Sequence, residues 1–407
     1  MHEILSHRHI RYFCLTVVLL AFLSGALRTA IPLLATKSGY GVWGISWSQG
    51  LFSLAWPLFG IVAGILLDRN EKVVLAVRAL ALFIIVHLIL FLMYALQFIP
   101  VEQIFVYAMI AGIIVVSAEA YMLTVPPLIM EGDQLTGFYS IVLFLDFGFS
   151  YFIGPVVTAA VLTSSPQSFY LLIIAVLIAT IWTVQLAIPE LPPINKSSIT
   201  INYIMAGFRF IFSNRQLTSL TILTFFLSVV FGAFLTSFVL FVTGDQYLGL
   251  DVSQYGIMFG AYAVGSMTGA LFVRQLLGST SVRTAVLADG VGTVALLIVP
   301  AFCNNALLVW LTTFLAGVGL SLWFVAVTAF RQRLTPRDLL GRTNSAFRVI
   351  GYAGMPIGSL LVGVLGSLAS LQFAAIIIAG LLLLALAITL PLIWSVDVEP
   401  ECQELEF

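Results

Sequence analysis

Five ionisable side chains interrupt long apolar runs in this 407-residue chain: Arg28, His87, Glu119, Asp146 and Asp289. Placing such a group inside a hydrophobic span costs on the order of 2.5–3.5 kcal/mol or more, so each position is a candidate for chemistry. A buried carboxyl group can load and release a proton, which makes Glu119 and Asp146 candidates for proton or cation coupling. Their plain alternative is a neutral or hydrogen-bonded structural acid. Arg28 keeps its charge, so it must face an anion, either an acidic substrate or an acid of the protein. His87 is a further coupling candidate, although a satisfied packing histidine accounts for it more simply.

Covalent chemistry has no footing in the sequence. There is no H-E-x-x-H, G-x-S-x-G or G-x-x-x-x-G-K-[ST] motif, which argues against a membrane-embedded enzyme and against an ATP-driven pump. Cys14, Cys303 and Cys402 lie far apart, without metal-ligand or redox spacing, and are expected to pack. No repeated polar stretch suggests a channel filter.

The elements that must hold these groups follow from composition. Hydrophobic residues make up 61% of the chain and charged residues 9%, and the mean hydropathy is +1.12. Soluble proteins run at roughly 45–50% apolar and about 25% charged. A soluble exterior could not be wetted with so few charges, so most of the chain must meet lipid. Seventeen basic against eighteen acidic residues leave no surplus for nucleic acid. The apolar runs divide into twelve segments near the ~20-residue spanning length: 12–35, 43–67, 73–97, 103–126, 139–162, 168–188, 218–242, 254–277, 283–302, 306–330, 345–366 and 372–394. A membrane-barrel strand needs only ~10 alternating residues, so unbroken runs of this length mean helices. The first run lacks a small-residue cleavage pattern and reads as a retained helix.

With the N-terminus cytoplasmic, fifteen of the seventeen basic residues fall on the inner side, leaving Lys37 outside and Arg28 within the first span. That asymmetry predicts a multi-pass protein of the cytoplasmic (inner) membrane with both termini cytoplasmic. The expected organisation is an N-terminal six-helix bundle (1–188), a cytoplasmic linker (189–217), a C-terminal six-helix bundle (218–394) and an acidic tail (395–407). Within the linker, Ile201, Ile204, Met205, Phe208 and Phe212 recur at helical spacing and predict an amphipathic helix along the interface. On this topology Glu119 and Asp146 share a depth, and Arg28 lies roughly 10–15 Å farther out at ~1.5 Å per residue. Straight-helix geometry therefore speaks against a direct Arg28–Glu119 bridge. Asp289 falls near the cytoplasmic end of its span, where Arg283 is the expected partner.

The turn after span two reads Gly60-Ile-Val-Ala-Gly64-Ile-Leu-Leu-Asp68-Arg69-Asn-Glu-Lys72. Asp68 is an anion at a helix C-terminus, the unfavourable end of the macrodipole, and should seek a partner near Thr343-Asn344-Ser345. This turn resembles the G-x-L-x-D-R-x-x-x-K/R motif of the major facilitator superfamily, with Gly64, Asp68, Arg69 and Lys72 in matching positions and Asn70-Glu71 departing from it. The resemblance implies a contact that latches the two halves while the cavity faces outward. In the second half Val273 replaces the aspartate, so gating should rest on the first motif. Gly154-Pro155 in span five resembles the family's exporter motif, although Val-Val-Thr follows instead of further glycines. The stretch Arg331-Gln-Arg333-Leu-Thr-Pro336-Arg337-Asp338-Leu-Leu-Gly341-Arg342, with Gly207 to Arg215, is similar to the branch holding the enterobactin exporter and the macrolide-efflux pumps. Arg337, Asp338, Gly341 and Arg342 form a basic turn that could close on helix carbonyls and on Glu131 or Asp133, or serve only as topogenic charge.

The resemblance also implies that helices one, four, seven and ten line a cavity, with Arg28 and Glu119 facing substrate, Asp146 on an interface helix and His87 on a supporting one. Phe231, Phe234, Phe238 and Phe241 in span seven form an aromatic stripe, either packing or the wall for a bulky substrate. The chain thus reads as an all-α membrane protein with twelve transmembrane helices in two six-helix halves. Its expected function is secondary export of amphipathic small molecules such as a siderophore, antibiotic or small peptide toxin, by proton antiport with alternating access. An ion-coupled importer is the alternative. No cofactor or metal is expected beyond the proton gradient, and the partners are a small-molecule substrate and the bilayer, for a monomer.

Overall fold

The computed structural model describes residues 8–37, 39, 41–69, 71–96, 102–129, 133–187, 201–277, 282–336 and 339–394. All regular structure among them is helical. The first half holds α1 (Arg8–Lys37), α2 (Gly41–Arg69), α3 (Lys72–Ala95), α4 (Gln103–Thr124), the short α5 (Pro126–Ile129), α6 (Asp133–Gly148), α7 (Gly154–Ser164) and α8 (Pro166–Ala187). After α9 (Ile201–Ser213), the second half holds α10 (Arg215–Thr243), α11 (Val252–Leu277), α12 (Val282–Phe302), α13 (Ala306–Leu334), α14 (Leu340–Tyr352), α15 (Gly354–Leu368) and α16 (Leu371–Trp394). Among the described residues eleven helical stretches are long and apolar enough to cross a membrane, with α6–α7 and α14–α15 each counted as one. The 29-residue α2 is the twelfth. The expected helical, twelve-span, two-bundle architecture is what folds. The boundaries placed at 188 and 395 lie outside the described residues.

Spans five and eleven are bent. Pro155 has no amide hydrogen and its ring would strike the carbonyl four residues earlier, that of Tyr151. The helix accommodates it with a π-helical turn, Phe149–Ile153, between α6 and α7. Pro356 acts likewise on the carbonyl of Tyr352, and the chain breaks at Ala353 between α14 and α15. Both bends bring a tyrosine to the site described below.

In lipid the helices gain little from burying apolar side chains against one another, so close backbone packing at small residues carries the association. A Cβ on Gly112 would overlap the Phe52 carbonyl, seating α4 on α2. One on Gly25 would overlap the Ser150 carbonyl, and one on Gly154 would lie 3.0 Å from the Phe22 carbonyl, fixing span five against α1. The halves meet tightly on the face of the Gly39–Gly41 and Gly244–Gly249 turns. There a Cβ on Gly256 would come within 3.0 Å of the Pro155 carbonyl, and one on Gly363 within 2.7 Å of the Ser46 Cβ. The other face carries the 69–72 turn and the start of α14, and is called the basic face below.

The linker helix does more than skim the interface. Met205 and Phe212 are exposed, but Ile211 is fully buried and Gly207 packs against the backbone of Arg342. The linker is thereby docked on α14. Asn214 caps α10, accepting from the Gln216 and Leu217 amides at 3.0 and 3.1 Å.

Candidate functional site

The site grows from the α2–α4 contact. With Gly112 against Phe52, Trp56 one turn along α2 stands beside Glu119 two turns along α4. Trp56 Nε1 donates to Glu119 Oε2 at 3.0 Å. Arg348, in the second half on α14, donates to the same oxygen at 3.3 Å. Arg28 of α1 reaches the other oxygen, with Nη2 3.8 Å from Oε1. One carboxylate thus holds an arginine from each half.

This corrects the expectation that Arg28 and Glu119 stand too far apart. At about 1.5 Å per residue the 30-residue α1 is ~45 Å long, well beyond the ~30 Å hydrocarbon layer. Counting depth from its end therefore misplaces Arg28, and the two long side chains close the remaining gap. Tyr151, presented by the π-helical turn, lies under the Arg28 guanidinium at 4.6 Å from carbon to ring centroid. Tyr352 stands in the same relation to Arg348 at 5.5 Å. Such stacking adds attraction for a cation without neutralising it.

Side-chain exposure falls from 39% at Arg348 to 21% at Glu119 and 7% at Arg28. The cluster is therefore reached from the side of α14, that is from the basic face. Two adjoining cavities sharing Trp56 and Tyr352 as walls flank it. One of about 80 Å³ includes Gly60, Ser345 and Arg348, and one of about 50 Å³ includes Arg28, Gln49, Glu119, Tyr151 and Phe231. An ionised Glu119 ties the halves together through Arg348. A protonated one would release both arginines.

The comparisons with known proteins bear on this geometry. A family model described as transmembrane secretion effector matches residues 44–401. The chain belongs to this family. The enterobactin exporter EntS of Citrobacter koseri is 27% identical to it over 215 residues, 49% of each chain. EntS of Salmonella typhimurium is 29% identical over 149 residues, 33% of this chain and 34% of that protein. The chain thus spans about half the length, or less, of the curated relatives it matches. Three solved structures share its fold. The nucleoside transporter NupG superposes with a TM-score of 0.70 at 14% identity over 93% of this chain and 98% of its own. A bacterial homologue of the lysosomal transporter Spinster, inward-facing and unoccupied, gives 0.67 at 14% identity over 96% and 95%. A bacterial homologue of ferroportin in the outward-facing state gives 0.64 at 16% identity over 95% and 99%. The family match and these superpositions agree on a multi-pass membrane fold of major facilitator type.

The other sequence-selected residues distribute as follows. Asp146 lies on α6 and accepts from Ser150 at 2.7 Å, while Ser150 also donates to the Ala21 carbonyl of α1 at 3.0 Å. Asp146 is therefore tied to the α1 contact rather than to Glu119. His87 is fully buried between α3 and α4. Its Nδ1 lies 3.0 Å from the Phe83 carbonyl, which can only accept, so Nδ1 carries the proton and Nε2 accepts from the Tyr107 hydroxyl at 3.1 Å. Tyr107 and Tyr170 pack edge-on around the ring, and the geometry is that of a packing histidine.

Asp289 does not pair with Arg283 among the described contacts. It is buried where a Cβ added at Gly319 of α13 would lie 3.0 Å from the Asp289 Cα, a close approach of the two backbones. The aromatic stripe also needs correction. Phe231 lines the smaller cavity, but Phe234 and Phe238 pack into the Phe259 and Tyr255 cluster of α11, and Phe241 packs on Tyr247. Over ten residues the stripe turns away from the cavity and rises ~15 Å along α10. Phe234, Phe238 and Phe241 are core, not cavity wall.

Arg331, counted only as loop charge, donates to Asn344 at 3.0 Å and stacks on Phe347 at 4.2 Å. It occupies part of the segment expected to receive Asp68. Lys72 is buried and Leu66 exposed, while the surroundings of Gly64 and the side chains of Asp68 and Arg69 lie outside the described residues, as do Arg337, Asp338 and Glu131. Gly341 stands in open space. Five site residues escaped sequence reasoning: Gln49, Trp56, Tyr151, Arg348 and Tyr352. Arg348 carried a signal, since it falls three residues inside a span. Trp56 and Gln49 carried none that distinguishes them from ordinary span residues.

Proposed function

We propose that this transporter exports amphipathic small molecules from the cytoplasm by proton antiport, with Glu119 as the proton carrier and the basic face as the cytoplasmic one. The observation that carries this reading is the single carboxylate shared by Arg28 of the first half and Arg348 of the second. Ionised, Glu119 holds both arginines and the cavity between them in place. Protonated, it lets Arg348 go and with it the tie across the basic face, so proton loading and cavity reshaping are one event. Export rather than uptake is supported by the secretion-effector family, by the Gly154-Pro155 bend, and by the relatives named as enterobactin exporters. The charge asymmetry supports cytoplasmic termini. Siderophores, antibiotics and small peptides fit the proposed cargo class, and Asp68, Arg69 and Lys72 serve as the latch at the turn between α2 and α3.

The test is gradient-driven transport in vesicles. Glu119→Gln keeps the shape and the Trp56 hydrogen bond but removes the titration, and should abolish proton-coupled export while part of the substrate binding survives. Asp146→Asn should do less, because Asp146 is bonded to Ser150 at the α1 contact. Full transport by Glu119→Gln with loss in Asp146→Asn would transfer the role to Asp146.

A further inference from the structure

The smaller cavity contains hydrogen-bonding capacity that the proton-coupling reading does not use. Gln49 on α2 is fully buried, and among the described residues neither its Nε2 nor its Oε1 has a partner. Arg28 turns Nη2 to Glu119, while its Nη1 is likewise without a hydrogen bond. A buried polar group left unsatisfied forfeits its bonds to water and gains none in return. A glutamine with both ends unmet is costly in a span where leucine would serve, unless something else meets it.

The charge at the site selects the class of ligand. The Arg28 guanidinium already faces Glu119 at 3.8 Å and feels Asp146 as well. An anionic ligand would enter beside two carboxyl groups and compete with Glu119 for the same arginine. A cationic one would meet Arg28. What the cavity leaves over is neutral in kind: donors at Arg28 Nη1 and Gln49 Nε2, and one acceptor at Gln49 Oε1. A primary amide carries an acceptor carbonyl and a donor N–H on one edge and can meet both ends of a glutamine side chain. Tyr151 and Phe231, in the same cavity wall, offer aromatic faces for an apolar substituent beside it.

We propose that Gln49 and Arg28 form a recognition subsite for an uncharged primary amide group of the transported molecule, selecting it over carboxylates and esters. The proposal rests on the reading of this cavity as the transport site. It also agrees in sign with antiport: Glu119 orients Arg28 for the ligand only while ionised, so protonation lowers ligand affinity.

The experiment compares 2-phenylacetamide, methyl phenylacetate and phenylacetate as probes of the full chain in lipid nanodiscs, by saturation-transfer NMR titration. The wild type should bind the amide roughly 3–10-fold more tightly than the ester, which lacks the N–H, as one net hydrogen bond implies. Phenylacetate should bind more weakly than the amide. Gln49→Met, of similar length and apolar, should erase the amide-over-ester preference while melting at or above the wild-type temperature. Gln49→Leu provides a second variant if Gln49→Met folds poorly. Tighter binding of phenylacetate than of the amide, survival of the amide preference in the folded variant, or binding of none of the three probes to the wild type would each overturn the proposal. Glu119→Gln separates it from the coupling reading. Loss of proton coupling in Glu119→Gln with no amide preference in the wild type removes only the subsite, and amide preference in the wild type with coupling intact in Glu119→Gln removes only the proton role.

Discussion

Replacing Glu119 with glutamine should widen the basic face as well as stop coupling, and the size of the effect follows from the geometry. The carboxylate lies 3.3 Å from Arg348 and 3.8 Å from Arg28. At an effective dielectric of about 20 these separations correspond to gross attractions of about 5 and about 4 kcal/mol. Desolvation offsets most of that, and solvent screens Arg348 at 39% exposure. A net bias of about 1–2 kcal/mol toward the clamped arrangement remains, a factor of roughly 5–30 in population. Spin labels on Gly60→Cys and Gly341→Cys would report it. A Cβ at either glycine meets nothing within 4 Å, and the two positions lie on α2 and α14, one in each half. The bias exists while Glu119 is ionised and is lost on acidification. Pulsed electron-spin distances in the wild type should therefore lengthen as pH falls. In Glu119→Gln they should sit at the long, acid-like distribution at every pH. A Glu119→Gln protein that keeps the wild-type pH response would refute the clamp, whatever its transport rate.

Three further outcomes are expected. Asp68→Asn should depress transport at unchanged expression and melting temperature, because the latch loses its anion but no packing. Wild-type rates in this variant would make the motif an ordinary turn. A reporter fused after Phe407 should read as cytoplasmic and one inserted near Gly249 as external, and the same side for both would break the twelve-span topology. Gly358→Ala should lower stability by about 1–3 kcal/mol through overpacking, since the added methyl would strike the Val229 carbonyl where α15 lies on α10. Thermal unfolding in detergent reads this directly, and an unchanged melting temperature would show that the two helices are not in close backbone contact.

Lipid solvent makes much of this protein legible without coordinates. A span must satisfy its own backbone hydrogen bonds and clothe itself in apolar side chains, so run length and charge position reveal the twelve helices, the interfacial helix and the Gly154-Pro155 bend. The cost of burying charge likewise marks Arg28, Glu119, Asp146 and Asp289 one at a time. What the sequence could not reveal is which of them meet. Arg348 counted only as one more basic residue at a span end. It becomes a site residue because Pro356 breaks span eleven at Ala353, and the resulting α14 presents Arg348 to α4. The phenylalanine stripe has helical spacing, yet of its four residues Phe231 alone lines the cavity, because α11 covers Phe234 and Phe238 and Tyr247 covers Phe241. Asp289 is buried where Gly319 lets α13 approach its backbone, a contact that its place in the span does not announce. Partnership among buried polar groups depends on helix rotation, tilt and bending, which are set by contacts such as Gly112 on Phe52 and Gly25 on Ser150. Those contacts join residues more than fifty positions apart, and local sequence pattern carries no record of them.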